Sequence, residues 1–232
     1  MEHINVTPIL NNLALLYCLQ ERYNEAEILR LRCLGIEQKF LENEHPQLAS
    51  SFKNLAELYT SQEKYCEAED FYIQALSIRK KKLGKDHPDI AESLQDLAEL
   101  YRMQEKYDKA KPLYVQSLEI RERVLGIDHP DVATNLNNLA VLYMSQENYC
   151  EAEPLFVRAL DIFLQTFGQE HPDTKTVEIS LMMMRLQMAT GMSSETLQQT
   201  LLNNPDALTQ LLQQMMLDND YIDNEDYPAR LF

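Results

Sequence analysis

The chain restates itself every 42 residues. His45, His87, His129 and His171 are each 42 apart, and one more step back from His45 lands on His3. All five histidines therefore share one phase. The segment 87–128 reads HPDIAESLQDLAELYRMQEKYDKAKPLYVQSLEIRERVLGID, and 45–86 and 129–170 are close variants of it. A fixed period between about 20 and 50 residues marks a stacked-repeat architecture. A unit that small cannot bury its own apolar face and must bury it against the next unit. The 232 residues are thus expected to form one elongated core rather than two globular domains.

Within a unit the pattern is helical. His87-Pro88-Asp89 opens a first helix, where proline's missing N–H costs nothing and the acid meets the positive helix end. Ala91, Leu94, Leu97, Ala98 and Tyr101 recur at three- and four-residue steps, and this helix should end near Gln104. Asp108 is expected to cap a second helix, as Asn24, Cys66 and Cys150 would at the same phase. Ala110, Leu113, Tyr114, Ser117, Leu118 and Ile120 then point inward, and Pro112 falls in the tolerant first turn. Gly84, Gly126 and Gly168 are expected to stop the second helices in the left-handed conformation. Small residues hold two phases, Ala14, Ala56, Ala98 and Ala140, then Ala26, Ala68, Ala110 and Ala152. Such sites suit close helix crossings, which a larger side chain would overpack.

The set Leu55, Ala56, Tyr59, Ala68, Tyr72 and Ala75 resembles the tetratricopeptide repeat, and it recurs in all four full units. The 42-residue form, with LNNLAVLY, YCEAEPLF, RALDI and LGIDHPDVA, is similar to the kinesin light chain type, which bacterial proteins also carry. The resemblance spans residues 3 to about 190. It implies an all-α solenoid, a right-handed superhelix of antiparallel helix pairs. The repeats are 3–44, 45–86, 87–128, 129–170 and a partial 171–190. Residues 191–217 read as capping helices, 195–203 and 206–217, split by Pro205. Residues 218–232 read as an acidic tail with a net charge of −4, more a solvated segment than a ligand for an acidic groove.

Both ends depart from the pattern. Ile4 stands where the other units have proline, Pro8 enters the first helix, and the off-phase Gly35 suggests an irregular second helix. Met182, Met183, Met184 and Met188 read as flexible filler for the imperfect last unit.

Composition narrows the chemistry. A net charge of −16 disfavours nucleic acid and anionic membranes, because phosphate contacts rely on Lys and Arg. No apolar run reaches the roughly 18 residues that a membrane span needs, and the N-terminus lacks a secretory pattern, so a cytoplasmic protein is expected. The four cysteines form no C-x-x-C pair, and Cys66 and Cys150 lie two repeats apart, too far for a disulfide. The histidines are too dispersed to share a metal. The Glu-Ala-Glu triplets at 25–27, 67–69 and 151–153 are periodic first-turn acids. No phosphate-loop, dinucleotide, zinc-protease or nucleophile-elbow string is present. No catalytic residue, metal site or cofactor is expected.

The informative residues lie on the first helices, off the core face. The family implies that these helices line the concave side. Asn12, Asn54 and Asn138 share one phase there, with Asp96 in the third repeat and Asn137 beside Asn138. An amide presents both donor and acceptor, so a row of asparagines can grip an extended backbone without reading its sequence. In the resembled family this position implies cargo-peptide binding, with nearby basic residues reading acidic cargo; Lys53 and Arg102 are the candidates. Glu57, Glu92, Asp96 and Glu99 on the same stripe tilt the groove toward neutral or basic peptides. The expected function is a non-enzymatic adaptor binding a protein or peptide in that groove. The alternative is a self-associating structural or sensor module of a larger bacterial signalling protein.

Overall fold

The computed structural model describes residues 3–203. Among them are ten α-helices and no strand. The first helices of the repeats are α1 (Thr7–Leu19), α3 (Pro46–Ser61), α5 (Pro88–Met103), α7 (Pro130–Ser145) and α9 (Pro172–Thr190). Their partners are α2 (Tyr23–Phe40), α4 (Tyr65–Lys82), α6 (Tyr107–Leu125) and α8 (Tyr149–Phe167), followed by α10 (Ser194–Asn203). Each helix packs on the next, pair upon pair, and α5 also meets α7 as α7 meets α9. First helices approaching one another across repeats form one side of the stack, as the repeat pattern requires. The expected helix at 206–217 and the tail at 218–232 lie outside the described residues.

The histidines explain why the first helices begin where they do. Nδ1 of His45, His87, His129 and His171 accepts the backbone N–H two residues on, at 3.1–3.2 Å. Each histidine is thus an N-cap that satisfies one of the orphan donors of the first turn, and the proline behind it needs none. His3 caps in the same way, but only a short 3-10 turn, Ile4–Val6; α1 then starts with Pro8 in its first turn.

The caps of the second helices differ from the sequence expectation. These helices start at the tyrosines, with Arg22, Lys64, Lys106 and Asn148 at the cap and no side-chain cap bond. Asn24, Cys66, Asp108 and Cys150 lie one residue inside the first turn. The reason is the preceding turn, which fixes the chain before any side chain can choose. Lys64 N–H bonds to Tyr59 C=O and Glu63 N–H to Thr60 C=O, both at 2.9 Å, with Glu63 at φ 58°. This is a Schellman closure, and Glu21, Glu105 and Glu147 repeat its left-handed backbone. At the other end, Gly126 and Gly168 have the positive φ that glycine allows, 92° and 81°, but with extended ψ rather than the left-handed helical conformation expected, and Gly84 has no positive φ: α4 ends at Lys82 with extended Leu83 as its cap. Gly35 does not disturb α2, which runs unbroken through it and buries Cys33 and Leu34.

Both alanine phases are fully buried, 0% exposed at all eight positions, so the helix crossings fall where the small residues predict. A second periodic position is polar. Buried Glu37 accepts from Ser51 Oγ at 2.5 Å and Gln47 Nε2 at 2.9 Å. Its successor Arg79 donates to Ser93 Oγ at 2.7 Å and to the Asp89 carbonyl at 2.8 Å. Arg121 reaches the Asp131 carbonyl at 2.9 Å, and at Phe163 the position turns apolar, packed in one cluster with Val177. Buried polar groups at the first three crossings are therefore partnered across repeats. In the last unit Met184 is core while Met188 is exposed.

Candidate functional site

The inner side of the stack is built from α1, α3, α5 and α7. Asn54, Asp96, Asn137 and Asn138 are half-buried there, while Asn12 on α1 is exposed. The helical offset that puts Leu55, Leu97 and Leu139 into the core puts these residues on the opposite flank. Asn137 Nδ2 faces Asn138 Oδ1 at 3.5 Å, and Asn54 makes no hydrogen bond among the described residues.

The two cations assigned to acidic cargo are engaged from within. Lys53 Nζ lies 2.6 Å from Glu92 Oε1, 3.1 Å from Asp96 Oδ2 and 3.7 Å from Glu57 Oε1. Glu92 also takes Arg79 Nη1 at 2.9 Å. Arg102 is held bidentately by Glu99, at 2.8 and 2.5 Å, and Tyr114 donates to the same carboxylate at 2.6 Å. Burial lowers the Lys53 ammonium, but Asp96 and Glu92 outweigh it and raise it. The Arg102 guanidinium is raised, first by its bond to Glu99. Burial raises Glu92 and Glu99, and their cationic partners bring both below the ordinary carboxylate range. Both cations thus act inward, as internal neutralisers of a carboxylate cluster.

Asp96 stands apart. Burial pushes its carboxyl up to about 6 against the pull of Lys53, with Glu92 and Glu57 adding repulsion. Its Oδ2 is ion-paired with Lys53 Nζ at 3.1 Å, whereas Gln95 Oε1 and Asn137 Oδ1 are buried acceptors without a donor. Gln95 and Asn137 occupy the same phase one repeat apart. These two amide oxygens, on the adjacent first helices α5 and α7, are short of donors.

Second helices also reach this side, which the sequence pattern concealed. Tyr72 and Tyr114 are buried at the phase of a core aromatic, yet Tyr114 ends on groove Glu99. Burial raises both phenols, and the Asp96 and Glu57 charges add to the rise at Tyr72. The only signal available was the hydroxyl itself, since the fourth repeat has Phe156 at that phase.

Among the described residues no cluster of three His, Cys, Asp or Glu side chains is arranged to hold a metal, and no helix is long and apolar enough to cross a membrane. All four cysteines are free, Cys66 and Cys150 at the surface.

The tetratricopeptide-repeat family profile matches residues 6–81, 62–123, 99–165 and 131–181. The chain is similar to a kinesin-light-chain-like protein of nearly identical TPR-like repeats from Podosopora anserina. A variant of that protein aligns with 25% identity over 94% of this chain and 97% of its own, at TM-score 0.71. BtubC (BKLC) from P. vanneervenii aligns with 25% identity over 99% of this chain and 87% of its own, at TM-score 0.70. Aspartyl phosphate phosphatase F from Bacillus subtilis shares the fold, at 15% identity and TM-score 0.68 over half of its length. No curated protein matches the sequence.

Proposed function

The chain belongs to the tetratricopeptide-repeat family, a family of protein-interaction scaffolds, and from that premise we propose that its inner face binds an extended, neutral-to-basic peptide segment. The observation that carries this reading is the pair of buried, donor-less amide oxygens at one phase of adjacent first helices, Gln95 Oε1 and Asn137 Oδ1. Unpaired buried acceptors are costly, and the N–H groups of an extended backbone supply the missing donors. Asn54 and Asn138 extend the same edge with amides that both give and accept. Electrostatics sets the charge preference. Lys53 and Arg102 are consumed by Glu92, Asp96 and Glu99, so the cluster holds surplus negative charge and favours Lys or Arg side chains on the ligand. This departs from acidic-cargo reading, because the cations that would perform it are occupied. The work is binding rather than catalysis, in a cytoplasmic adaptor.

The test is a fluorescence-anisotropy screen of extended peptides of matched length and varied charge against the whole chain. Basic and neutral peptides should bind, and added salt should weaken the basic ones. Replacing Asn54 and Asn138 together with alanine should cost about 0.5–1.5 kcal/mol per lost backbone bond with little change in melting temperature. A preference for acidic peptides, or equal affinity of parent and variant, would overturn the proposal. Easier unfolding with unchanged affinity per folded molecule would make the asparagines helix braces instead.

A further inference from the structure

Arg30 breaks the rule that Lys53 and Arg102 follow. It is 6% exposed, and its Nε is a buried donor without an acceptor. Among the described residues it makes no hydrogen bond and no ion pair. Its place on α2 is the phase of Tyr72, Tyr114 and Phe156, and α2 packs against both α1 and α3. From that phase Tyr114 reaches the groove and ends on Glu99, 15 residues back. The same step back from Arg30 lands on Leu15, and α1 carries no charged residue along its 13 positions. Tyr72, again from that phase, lies within range of the Asp96 charge on the following first helix; the residue there for Arg30 is Asn54. Asn54 is neutral and itself unbonded. The acid further along α3, Glu57, is turned to Lys53 at 3.7 Å.

We propose that Arg30, with Asn54 across from it, is the site that takes a carboxylate side chain, Asp or Glu, of a partner's extended peptide lying along the inner face. The site rests on the groove reading above and gives the ligand a second charge. The first argument is desolvation. A buried guanidinium without an acceptor is unfavourable, and a carboxylate offers two oxygens to its planar fork. Asn54 adds an amide N–H for the same group. The second argument is complementarity. The groove is short of donors at Gln95 and Asn137 and short of an acceptor at Arg30. A purely basic ligand leaves Arg30 unpaired, and a purely acidic one meets Glu92 and Glu99, so the ligand carries both signs. First helices of successive repeats stand about 10 Å apart, and the acidic cluster lies one to two steps from Arg30. An extended chain covers that span in about three to six residues. The ligand is therefore a peptide with one acid and one base at that separation.

The test is fluorescence anisotropy on the whole chain, with thermal melts as the folding control. The probes are labelled extended peptides carrying one Glu and one Lys about three to six residues apart, in both chain directions, each beside its counterpart with Gln for Glu. The parent should bind the better Glu probe about tenfold tighter than its Gln counterpart. The net charge of −16 works against the Glu probe, so such a gain comes from a local contact. Arg30→Tyr installs the residue of the next two repeats; it should erase the preference and bind the Gln probe as the parent does. Arg30→Lys keeps the charge without the fork, should retain part of the preference, and guards against misfolding of the tyrosine variant. A free peptide of sequence 218–232 should not displace the Glu probe selectively. Binding of the Gln probe with no gain from Glu, or a gain that survives Arg30→Tyr, would overturn the site and leave the groove reading standing. No binding of any probe would overturn the groove reading and the site with it. Selective displacement by 218–232 would make the chain's own tail the occupant and overturn the assignment to a partner.

Discussion

Tyr101 donates its phenolic hydrogen to Glu69, 32 residues earlier on the preceding second helix, at 2.6 Å. Tyr59 does the same to Glu27 at 2.9 Å, again 32 residues back. The third member of the series changes chemistry: Lys111 stands in place of the acid, and its Nζ sits 5.0 Å from the centroid of the Tyr143 ring. In the last pair Arg185 meets Glu153 at 2.8–2.9 Å. One geometric position thus ties each repeat to the next by whichever complementary pair the two side chains allow.

Glu69→Ala should destabilise the chain by about 1.5–3 kcal/mol, the range for a hydrogen bond to a charged acceptor. The tyrosine hydroxyl would keep its half-buried position without its acceptor. Urea denaturation of parent and variant measures this. A change below about 0.5 kcal/mol would show that water replaces the carboxylate at no cost.

Glu105→Gly should stabilise the chain by about 0.5–1 kcal/mol. Glu105 is exposed, at φ 58°, where a Cβ is penalised by roughly 1–2 kcal/mol and glycine is not, though glycine returns part of this gain through unfolded-state entropy. A higher urea midpoint at unchanged slope is the expected signature.

Asp96→Asn should raise stability at pH 7.5 by about 1–3 kcal/mol, and the gain should shrink on acidification. The carboxyl titrates near 6 when folded, above the ordinary value of 3.8. A folded group of raised pKa holds its proton more tightly than the unfolded chain does. Its favourable contribution is complete below about pH 4 and is lost as pH rises through about 6. Asparagine removes the desolvated charge and completes the row of Asn12, Asn54 and Asn138, while Lys53 keeps Glu92 and Glu57. Parallel denaturation series at pH 4.0 and pH 7.5 would check it. A gain of equal size at both values would rule out the titration as its cause.

Ala98→Leu should cost about 1–3 kcal/mol through overpacking. Ala98 is 0% exposed, so a larger side chain there must displace packed neighbours rather than turn into solvent. Thermal melts report the loss.

The repeat, its 42-residue period, the helix starts at His-Pro, the two alanine crossings and the core-facing side of each first helix are legible in the sequence alone. These follow from rules confined to a few neighbouring residues: 3.6-residue periodicity, the absent proline N–H and the small volume of alanine. The state of the charged groups is set elsewhere, by tertiary contacts between residues 15 and 39 positions apart. Lys53 and Arg102 look like free groove cations in one helix. They cease to be so once Glu92 on the next repeat closes on Lys53 and Tyr114 on the partner helix fixes Glu99. Cys66 and Asp108 resemble caps, but an equally local rule overrides them: the Schellman turns around Glu63 and Glu105 start the helices earlier. Ile9, Leu13 and Leu16 share their phases with the buried Ser51, Leu55 and Leu58 yet are exposed themselves. In later repeats the preceding second helix covers these phases, and a local pattern holds no record of how many neighbours a residue will have.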